Sequence, residues 1–140
     1  MNIQQLHPNF VMPSRGSLDA AGYDITMPES GMIVYGEAKK VALGFAAEVP
    51  AGYMAMLLPR SGVGFKKGLE LHNTCGIIDA DYRGEWFASL HIKTGMSFHW
   101  EAGEKLLQFI LVTVHTPVLQ LVDSVSDTER GAGGLGSTGK

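Results

Sequence analysis

The spacing of apolar and polar residues along this chain predicts short β-strands far more than helices. From Trp86 to Ile92 the even-numbered side chains are all apolar and the odd-numbered ones are mostly polar, which is the period-two pattern of a strand with one face toward a core. Two more continuous apolar runs, over residues 54–58 and 106–114, predict central strands that are covered on both faces. Further strands are predicted over residues 9–12, 23–26, 31–34, 41–48 and 118–122.

The residue types that end these apolar runs support an all-β fold. Most runs end at Gly, Pro, Asn or Asp, and the prolines fall near strand ends, where a missing N–H is tolerated. About a dozen short strands in one small unit predict a sandwich or jelly-roll. The exception is the segment 61–68, which predicts a short helix with Ser61 as its N-cap and Gly68 as its stop. A helix start of this kind directs free backbone N–H groups toward an anion.

The C-terminal segment has a different composition from the rest of the chain. Few residues after Asp123 can pack in a core, and five of the eleven residues from 130 to 140 are glycine. Glycine-rich chain is costly to order, because it loses more conformational freedom than any other. We therefore predict a β jelly-roll domain over residues 1–123 and a flexible C-terminal arm over residues 124–140.

Composition narrows the classes of function. A length of 140 residues with 45% hydrophobic content is enough for one domain with a real core. The net charge of −3 argues against a nucleic-acid surface, which needs clustered Lys and Arg. Cys75 is the sole cysteine, so no intrachain disulfide can form; it is expected to be a small buried hydrophobe, although a thiol nucleophile stays open. No signal-like or membrane-spanning apolar run is present, so we expect a cytoplasmic protein, or one inside the host cell for a viral source.

The segment 76–85 carries the densest chemistry in the chain. It places two carboxylates, a tyrosine and an arginine between flanking glycines, directly after the apolar pair Ile77-Ile78. A plain β-turn would account for its Asp and Gly residues. Four other polar clusters in the same short chain favour a functional site instead. Asp81 is expected to have a turn role, because strand alternation would direct it to the opposite face from Asp79.

Two arginines indicate binding of phosphate groups. Arg60 and Arg130 are two of only four arginines, and each lies beside Ser or Gly residues. Planar guanidinium groups together with hydroxyl and backbone donors are a combination that binds phosphates. Taken singly, each arginine would more often form a surface salt bridge.

Five segments in order resemble the motifs of trimeric dUTP pyrophosphatases, the dUTPase family. They are residues 20–25, 59–64, 73–85, 103–108 and 130–139, so the resemblance extends from about residue 20 to the C-terminus. It implies an all-β jelly-roll or distorted β-barrel of the dUTPase type, in a homotrimeric enzyme whose sites combine motifs from different subunits. The implied reaction is hydrolysis of dUTP to dUMP and pyrophosphate, with Mg²⁺ as cofactor. Neither nucleic acid nor membrane is an expected partner.

The resemblance also implies roles for the residues of the third motif. Asp79 would be the general base that orients and deprotonates the water attacking the α-phosphorus. Tyr82 would pack against the deoxyribose and exclude a 2′-hydroxyl group, although an aromatic side chain here could instead be part of the core. Asn73 and the main chain around Ile77 would read the uracil edge, since an amide offers both a donor and an acceptor.

The other motifs are implied to hold the phosphates and the metal. Asp24 would hold Mg²⁺ through water, which suits an ion that takes few protein carboxylates. Gln108 would donate to the phosphates or to the second motif. The remaining implied substrate-binding residues are Arg60, Ser61, Gly62, Arg130, Leu135, Gly136, Ser137 and Thr138.

Two positions depart from the family pattern. Leu107 stands where the family usually has Ala, and Leu135 stands where it has a Phe that covers the uracil. Leucine can shield a base but cannot stack on it, and stacking contributes about 1–3 kcal/mol. Two other functions are considered: a dCTP deaminase of the same fold, and a regulatory binding module built on a dUTPase-like trimer.

Overall fold

The structure, a computed structural model, describes residues 1–134. In this range the chain forms eleven strands and one short helix. The strands are β1 (Ile3–Gln5), β2 (Tyr23–Thr26), β3 (Gly31–Val34), β4 (Lys39–Ala42), β5 (Phe45–Ala47), β6 (Tyr53–Pro59), β7 (Leu69–Leu71), β8 (Gly76–Ile78), β9 (Phe87–Ile92), β10 (Ser97–Trp100) and β11 (Lys105–Thr113). The helix is α1 (Ser61–Lys67), and no helix in the described range is long and apolar enough to cross a membrane.

The strands pair antiparallel in four open sheets. The largest has the order β2-β11-β6-β8, and a three-stranded sheet has the order β4-β9-β7. Two-stranded sheets are formed by β1 with β5 and by β3 with β10. The predicted all-β jelly-roll class is confirmed, although none of these sheets closes into a barrel within residues 1–134.

The core confirms the alternation read from residues 86–92. Ala88, Leu90 and Ile92 are buried along β9, and Trp86 just before it is fully buried. The Trp86 ring lies between those of Phe45 and Phe109, with centroids 5.0 and 5.2 Å away. Tilted and edge-on aromatic pairs at this spacing are favourable beyond their buried area. This cluster fixes the start of β9 directly after the segment 76–85.

The two long apolar strands are central, but β6 is not covered on both faces as predicted. Ala55 and Leu57 of β6 are buried, whereas Met54, Met56 and Leu58 are only half-buried. The second face of the sheet is only partly covered within the described chain, along β11 as well as β6. A one-sided sheet is normal for antiparallel pairing.

Three of the predicted strands differ in the structure. Residues 9–12 form no strand, because Pro8 and Asn9 lie in a turn and Phe10 donates its amide to the carbonyl of His7. Residues 41–48 are split into β4 and β5 by Gly44, whose φ of 78° turns the chain from one sheet to another. Residues 118–122 have no strand partner among residues 1–134, and Leu121 is fully exposed.

The predicted helix and its stop are confirmed, but its N-cap is one residue earlier than expected. Arg60, with ψ of 140°, is the last extended residue, and Ser61 is the first helical one. The reason is that the amide of Arg60 still donates to the carbonyl of Leu106 on β11. Gly68 ends the helix in the left-handed conformation, with φ of 67°. The proposed division of the chain at residue 123 stays a prediction.

Candidate active site

Three charged side chains from adjacent strands meet in what we call the Asp24 cluster: Asp24, Arg60 and Lys105. Asp24 Oδ1 lies 2.9 Å from Arg60 Nε, and Asp24 Oδ2 lies 3.6 Å from Lys105 Nζ. Arg60 Nη1 also donates to the carbonyl of Lys105 at 3.2 Å. The cluster forms because β2 and β6 flank β11 on either side. With two cations and one carboxylate it is electropositive, which suits an anionic ligand.

Gln108 is held in the same place by a backbone contact and by a glycine. Its Nε2 donates to the carbonyl of Pro59 at 3.3 Å, so it bonds to the loop that carries Arg60. Of the two expected partners, the structure therefore gives Gln108 the second-motif loop. A Cβ atom on Gly22 would overlap Gln108 Oε1, so this amide fits only because residue 22 has no side chain. The neighbouring Leu107 is fully buried and forms part of the core.

Ser61 and Gly62 lie in the first turn of α1, directly after Arg60, and both are exposed. Ser61 borders an open groove of about 820 Å³ together with Arg60, Gly64 and Phe65, whereas Gly62 does not line it. Phe65 projects into solvent with 93% of its surface exposed. The groove therefore presents hydroxyl, backbone and guanidinium groups on one side of the helix start.

A second, smaller cavity gathers six of the third-motif residues, and we call it the Asp79 pocket. It has a volume of about 210 Å³ and lies beside β8, the edge strand of the largest sheet. Its lining residues are Asn73, Gly76, Ile77, Ile78, Asp79, Tyr82 and Phe87. Four residues predicted from the sequence to contact one nucleotide are thus brought together.

Asp79 is the first residue after β8 and begins a turn. Its carbonyl accepts the amide of Tyr82 at 3.2 Å, which fixes the backbone on both sides of the carboxylate. Asp79 is exposed in the single chain, and it forms no ion pair within residues 1–134. Asp81 lies in the same turn, as predicted, although β8 already ends at Ile78.

Asn73 and Ile77 present polar and backbone groups to the pocket. Asn73 Nδ2 donates to the carbonyl of Cys75 at 2.9 Å, which stabilises a turn where Thr74 has φ of 68°. This leaves the amide oxygen of Asn73 without a protein partner in the described chain. Ile77 is 58% exposed in the middle of β8, which pairs with β6 on one side only. One row of β8 backbone groups is therefore open for a ligand.

Tyr82 belongs to the pocket and not to the core. It is 38% exposed, and its hydroxyl donates to the carbonyl of Glu85 at 3.1 Å. The neighbouring Phe87 is not among the residues predicted for the site; it is 43% exposed and has Lys40 Nζ 4.0 Å from its ring centroid. The sequence does indicate the outer position of Phe87, because strand alternation directs it away from the core face that holds Ala88. A large aromatic on the outer side of a strand that directly follows a motif is a candidate for contact with a ligand.

Arg130 lies apart from both groups of residues. Its Nε donates to the carbonyl of Gly133 at 2.9 Å, so in the single chain its guanidinium folds onto its own exposed segment. Leu135, Gly136, Ser137 and Thr138 lie outside the described residues.

The pairing of β6 with β8 separates the Asp79 pocket from the Asp24 cluster. Leu57 pairs with Gly76 and Ala55 with Ile78, so Asp79 lies near the start of β6 and Arg60 follows its end. About six residues of extended strand separate these two positions, which corresponds to about 20 Å. The base candidate and the cationic cluster of one chain therefore lie at opposite ends of this strand pair.

The protein ligands available for a metal are few. Within residues 1–134, no group of three His, Cys, Asp or Glu side chains is placed to hold a metal ion. Asp24 is the predicted carboxylate, and both of its oxygens face cations. This donor set fits Mg²⁺ only as an ion that arrives with a polyanion, because Mg²⁺ commonly takes one or two carboxylates plus phosphate oxygens and water.

Comparisons of the sequence and of the structure with known proteins all match one family. A family model described as dUTPase matches residues 8–139. The deoxyuridine 5′-triphosphate nucleotidohydrolase of Nautilia profundicola is 39% identical over 140 residues, with 100% of this chain and 99% of the relative covered. The protein of the same name from Paramecium bursaria Chlorella virus 1 is 37% identical over 137 residues, with 98% and 96% covered. The Staphylococcus bacteriophage 80alpha dUTPase with dUPNHPP has a TM-score of 0.90 and 29% identity, over 99% of this chain and 98% of that one. The chain belongs to the dUTPase family.

Proposed function

We propose that the protein hydrolyses dUTP to dUMP and pyrophosphate through attack of water on the α-phosphorus. The observation that carries the proposal is the Asp79 pocket, which places a carboxylate, an aromatic wall and open backbone groups around one small cavity. Membership of the dUTPase family supports the same reaction. The solved relative from bacteriophage 80alpha was obtained with a dUTP analogue, dUPNHPP.

In this proposal Asp79 is the proton acceptor for the attacking water. The water oxygen forms a bond to the α-phosphorus, its proton passes to Asp79, and the bond from the α-phosphorus to the bridging oxygen of pyrophosphate breaks. The hydrogen bond from the Tyr82 amide to the Asp79 carbonyl restrains the backbone at Asp79, and general-base catalysis depends on positioning of the base. The exposure of Asp79 in the single chain leaves room for both the water and the phosphate.

The nucleoside would occupy the Asp79 pocket. The open backbone edge around Ile77 and the free amide oxygen of Asn73 offer the pairing groups that a uracil edge requires. Cytosine presents the reverse pattern at this edge and would leave buried groups unpaired. Tyr82 would face the deoxyribose, where its ring would leave no room for a 2′-hydroxyl.

The phosphates would be held by cationic and hydroxyl groups. Arg60 and Arg130 would supply guanidinium forks, and Gln108 would keep the Arg60 loop in place through Pro59. The additional groups proposed for the phosphates and for covering the base are Ser61, Gly62, Leu135, Gly136, Ser137 and Thr138. Asp24 would hold Mg²⁺ through water, and bound Mg²⁺ neutralises charge on the triphosphate.

The site would be completed by other copies of the chain in a homotrimer. Two observations support this assembly. The Asp79 pocket and the Asp24 cluster of one chain lie about 20 Å apart by strand geometry, too far for both to act on one α-phosphorus. The segment after β11 also exposes apolar side chains: Val118 is 92% exposed and Leu119 is 90% exposed. Exposed apolar residues in such a run indicate a protein interface.

In the cell this reaction would limit the incorporation of uracil into DNA and supply dUMP for synthesis of dTMP. A cytoplasmic location, or the interior of a host cell, is proposed on the same grounds. Neither nucleic acid nor membrane is required as a partner.

The test is an assay of pyrophosphate release from dUTP, dTTP, dCTP and UTP, with Mg²⁺ and after its removal by EDTA. We expect turnover of dUTP alone among the four, and loss of turnover with EDTA. Release of ammonia from dCTP would instead identify a deaminase. Tight binding of dUTP without any pyrophosphate release would support the regulatory binding module.

A further inference from the structure

We infer that Gly84 is a positioning residue that acts through Tyr82 to set discrimination between deoxyribose and ribose. The inference rests on the proposed function and deepens it. A Cβ atom placed on Gly84 would lie 2.6 Å from Tyr82 Cζ and 3.0 Å from Tyr82 Cε2, with the phenol oxygen nearer still. The end of the Tyr82 ring therefore occupies the space that a side chain at position 84 would fill.

The hydrogen-bond acceptor for Tyr82 is itself anchored to the core. The Tyr82 hydroxyl donates to the carbonyl of Glu85 at 3.1 Å, and Glu85 Oε1 accepts the amide of Gly44 at 3.1 Å. The next residue, Trp86, is fully buried and donates its amide to the carbonyl of Phe45 at 2.9 Å. Glu85 thus joins the motif to the corner between β4 and β5, and its carbonyl cannot follow a displaced ring.

The backbone between Tyr82 and Gly84 is also restrained. Arg83 Nη1 donates to the carbonyl of Ala80 at 2.7 Å and to that of Tyr82 at 3.0 Å, which closes the turn. Because both ends of this short segment are tied, an added methyl group at position 84 must be accommodated by rotation of the Tyr82 ring. That rotation would break the bond to Glu85.

A substitution at Gly84 would test the steric contact with Tyr82 and not backbone strain. Gly84 does not have a positive φ, unlike seven other glycines of the described chain. Alanine can therefore adopt its backbone conformation, and the expected effect comes from the contact with Tyr82. Since Tyr82 shares the pocket with Asp79 and Ile77, displacement of its ring changes the wall beside the proposed sugar site.

The experiment is a double-mutant cycle with Gly84→Ala, Tyr82→Ala and the double variant, in which kcat and KM are measured for dUTP and UTP. We expect Gly84→Ala to lower the ratio of kcat/KM for dUTP over UTP by about tenfold, because a pocket discriminates an added hydroxyl by about 10². In the Tyr82→Ala background the same substitution should change the ratio little, because the ring it displaces is absent. An equal loss in both backgrounds, or an unchanged ratio in Gly84→Ala, would overturn the inference.

Controls separate this inference from folding and from the proposed reaction. Gly16→Ala is the matched control, since Gly16 has open space around it and no positive φ, and it should leave the ratio unchanged. If Gly84→Ala fails to fold, Tyr82→Phe removes only the bond to Glu85 and should lower the ratio by a smaller factor; no change with Tyr82→Phe would then count against the inference. Calorimetric binding of dUMP and UMP to the same variants tests whether the Tyr82 ring excludes ribose, even if the wild-type protein releases no pyrophosphate.

Discussion

Replacement of Asp79 by Asn should separate catalysis from both folding and binding. The amide keeps the shape of the carboxylate and removes only its capacity to accept a proton. Because Asp79 is exposed and forms no ion pair within residues 1–134, the native chain loses almost nothing when its charge is removed.

The magnitudes follow from that environment. Substitution at exposed positions away from special contacts changes the free energy of unfolding by about 0.5 kcal/mol or less. For a domain of this size, that corresponds to a shift in Tm of less than about 3 °C. Loss of a general base lowers the rate by about 10²–10⁴-fold, or roughly 3–5 kcal/mol in activation free energy.

The assay combines thermal melting, binding of a non-hydrolysable dUTP analogue and single-turnover pyrophosphate release. Asp81→Asn is the matched control, because Asp81 is exposed in the same turn, two residues further along the chain. We expect the control to keep its kcat within about threefold, whereas Asp79→Asn loses at least about 10² in kcat with its Kd for the analogue nearly unchanged.

Two results would refute the reasoning. If Asp79→Asn retained a kcat close to that of the wild type, another group would be the proton acceptor. If both Asn variants lost activity equally, the effect would come from the geometry or total charge of the turn and not from the base.

Three further predictions concern the arm and the base pocket. Removal of residues 130–140 should leave Tm and gel-filtration volume unchanged but abolish efficient dUTP hydrolysis, because the composition of this segment offers few side chains for a core; full activity after truncation would exclude the arm from the mechanism. Leu135→Phe should lower KM for dUTP by adding a flat surface for the base, and an unchanged or higher KM would mean that the pocket is shaped around leucine. Phe87→Ala should raise KM for dUTP with little change in kcat, since the Phe87 ring lines the Asp79 pocket. The control Tyr35→Ala, at an exposed aromatic outside that pocket, should change neither constant. Equal effects of the two substitutions would show that Phe87 has no special contact with the substrate.

Local patterns predicted the elements more successfully than the connections between them. The alternation before Ile92 and the glycine stop at Gly68 depend on neighbouring residues only, and both are confirmed. The break at Gly44 and the absence of a strand over residues 118–122 depend on distant pairing partners, which periodicity does not reveal. Local sequence patterns do not show which distant strands pair with each other.

The candidate site shows the same division between local and long-range information. The third motif is contiguous in sequence, so its residues are predicted as a group, whereas Phe87 of the same pocket lies outside the motif and is not predicted. The pairing of Asp24 with both Arg60 and Lys105 depends on β11 lying between β2 and β6, and local sequence patterns do not indicate that order. The distance between Asp79 and Arg60 depends likewise on the register of β6 with β8.

The placement of Asp79 and Arg60 at opposite ends of one strand pair has a consequence for newly made protein. If a second copy completes the site, a solitary chain released from the ribosome carries a base without its cations and leaves cellular nucleotides untouched. Activity would then begin only when enough chains have accumulated to meet one another. Dilution would have the opposite effect, so specific activity would decline at low protein concentration even though every molecule stayed folded.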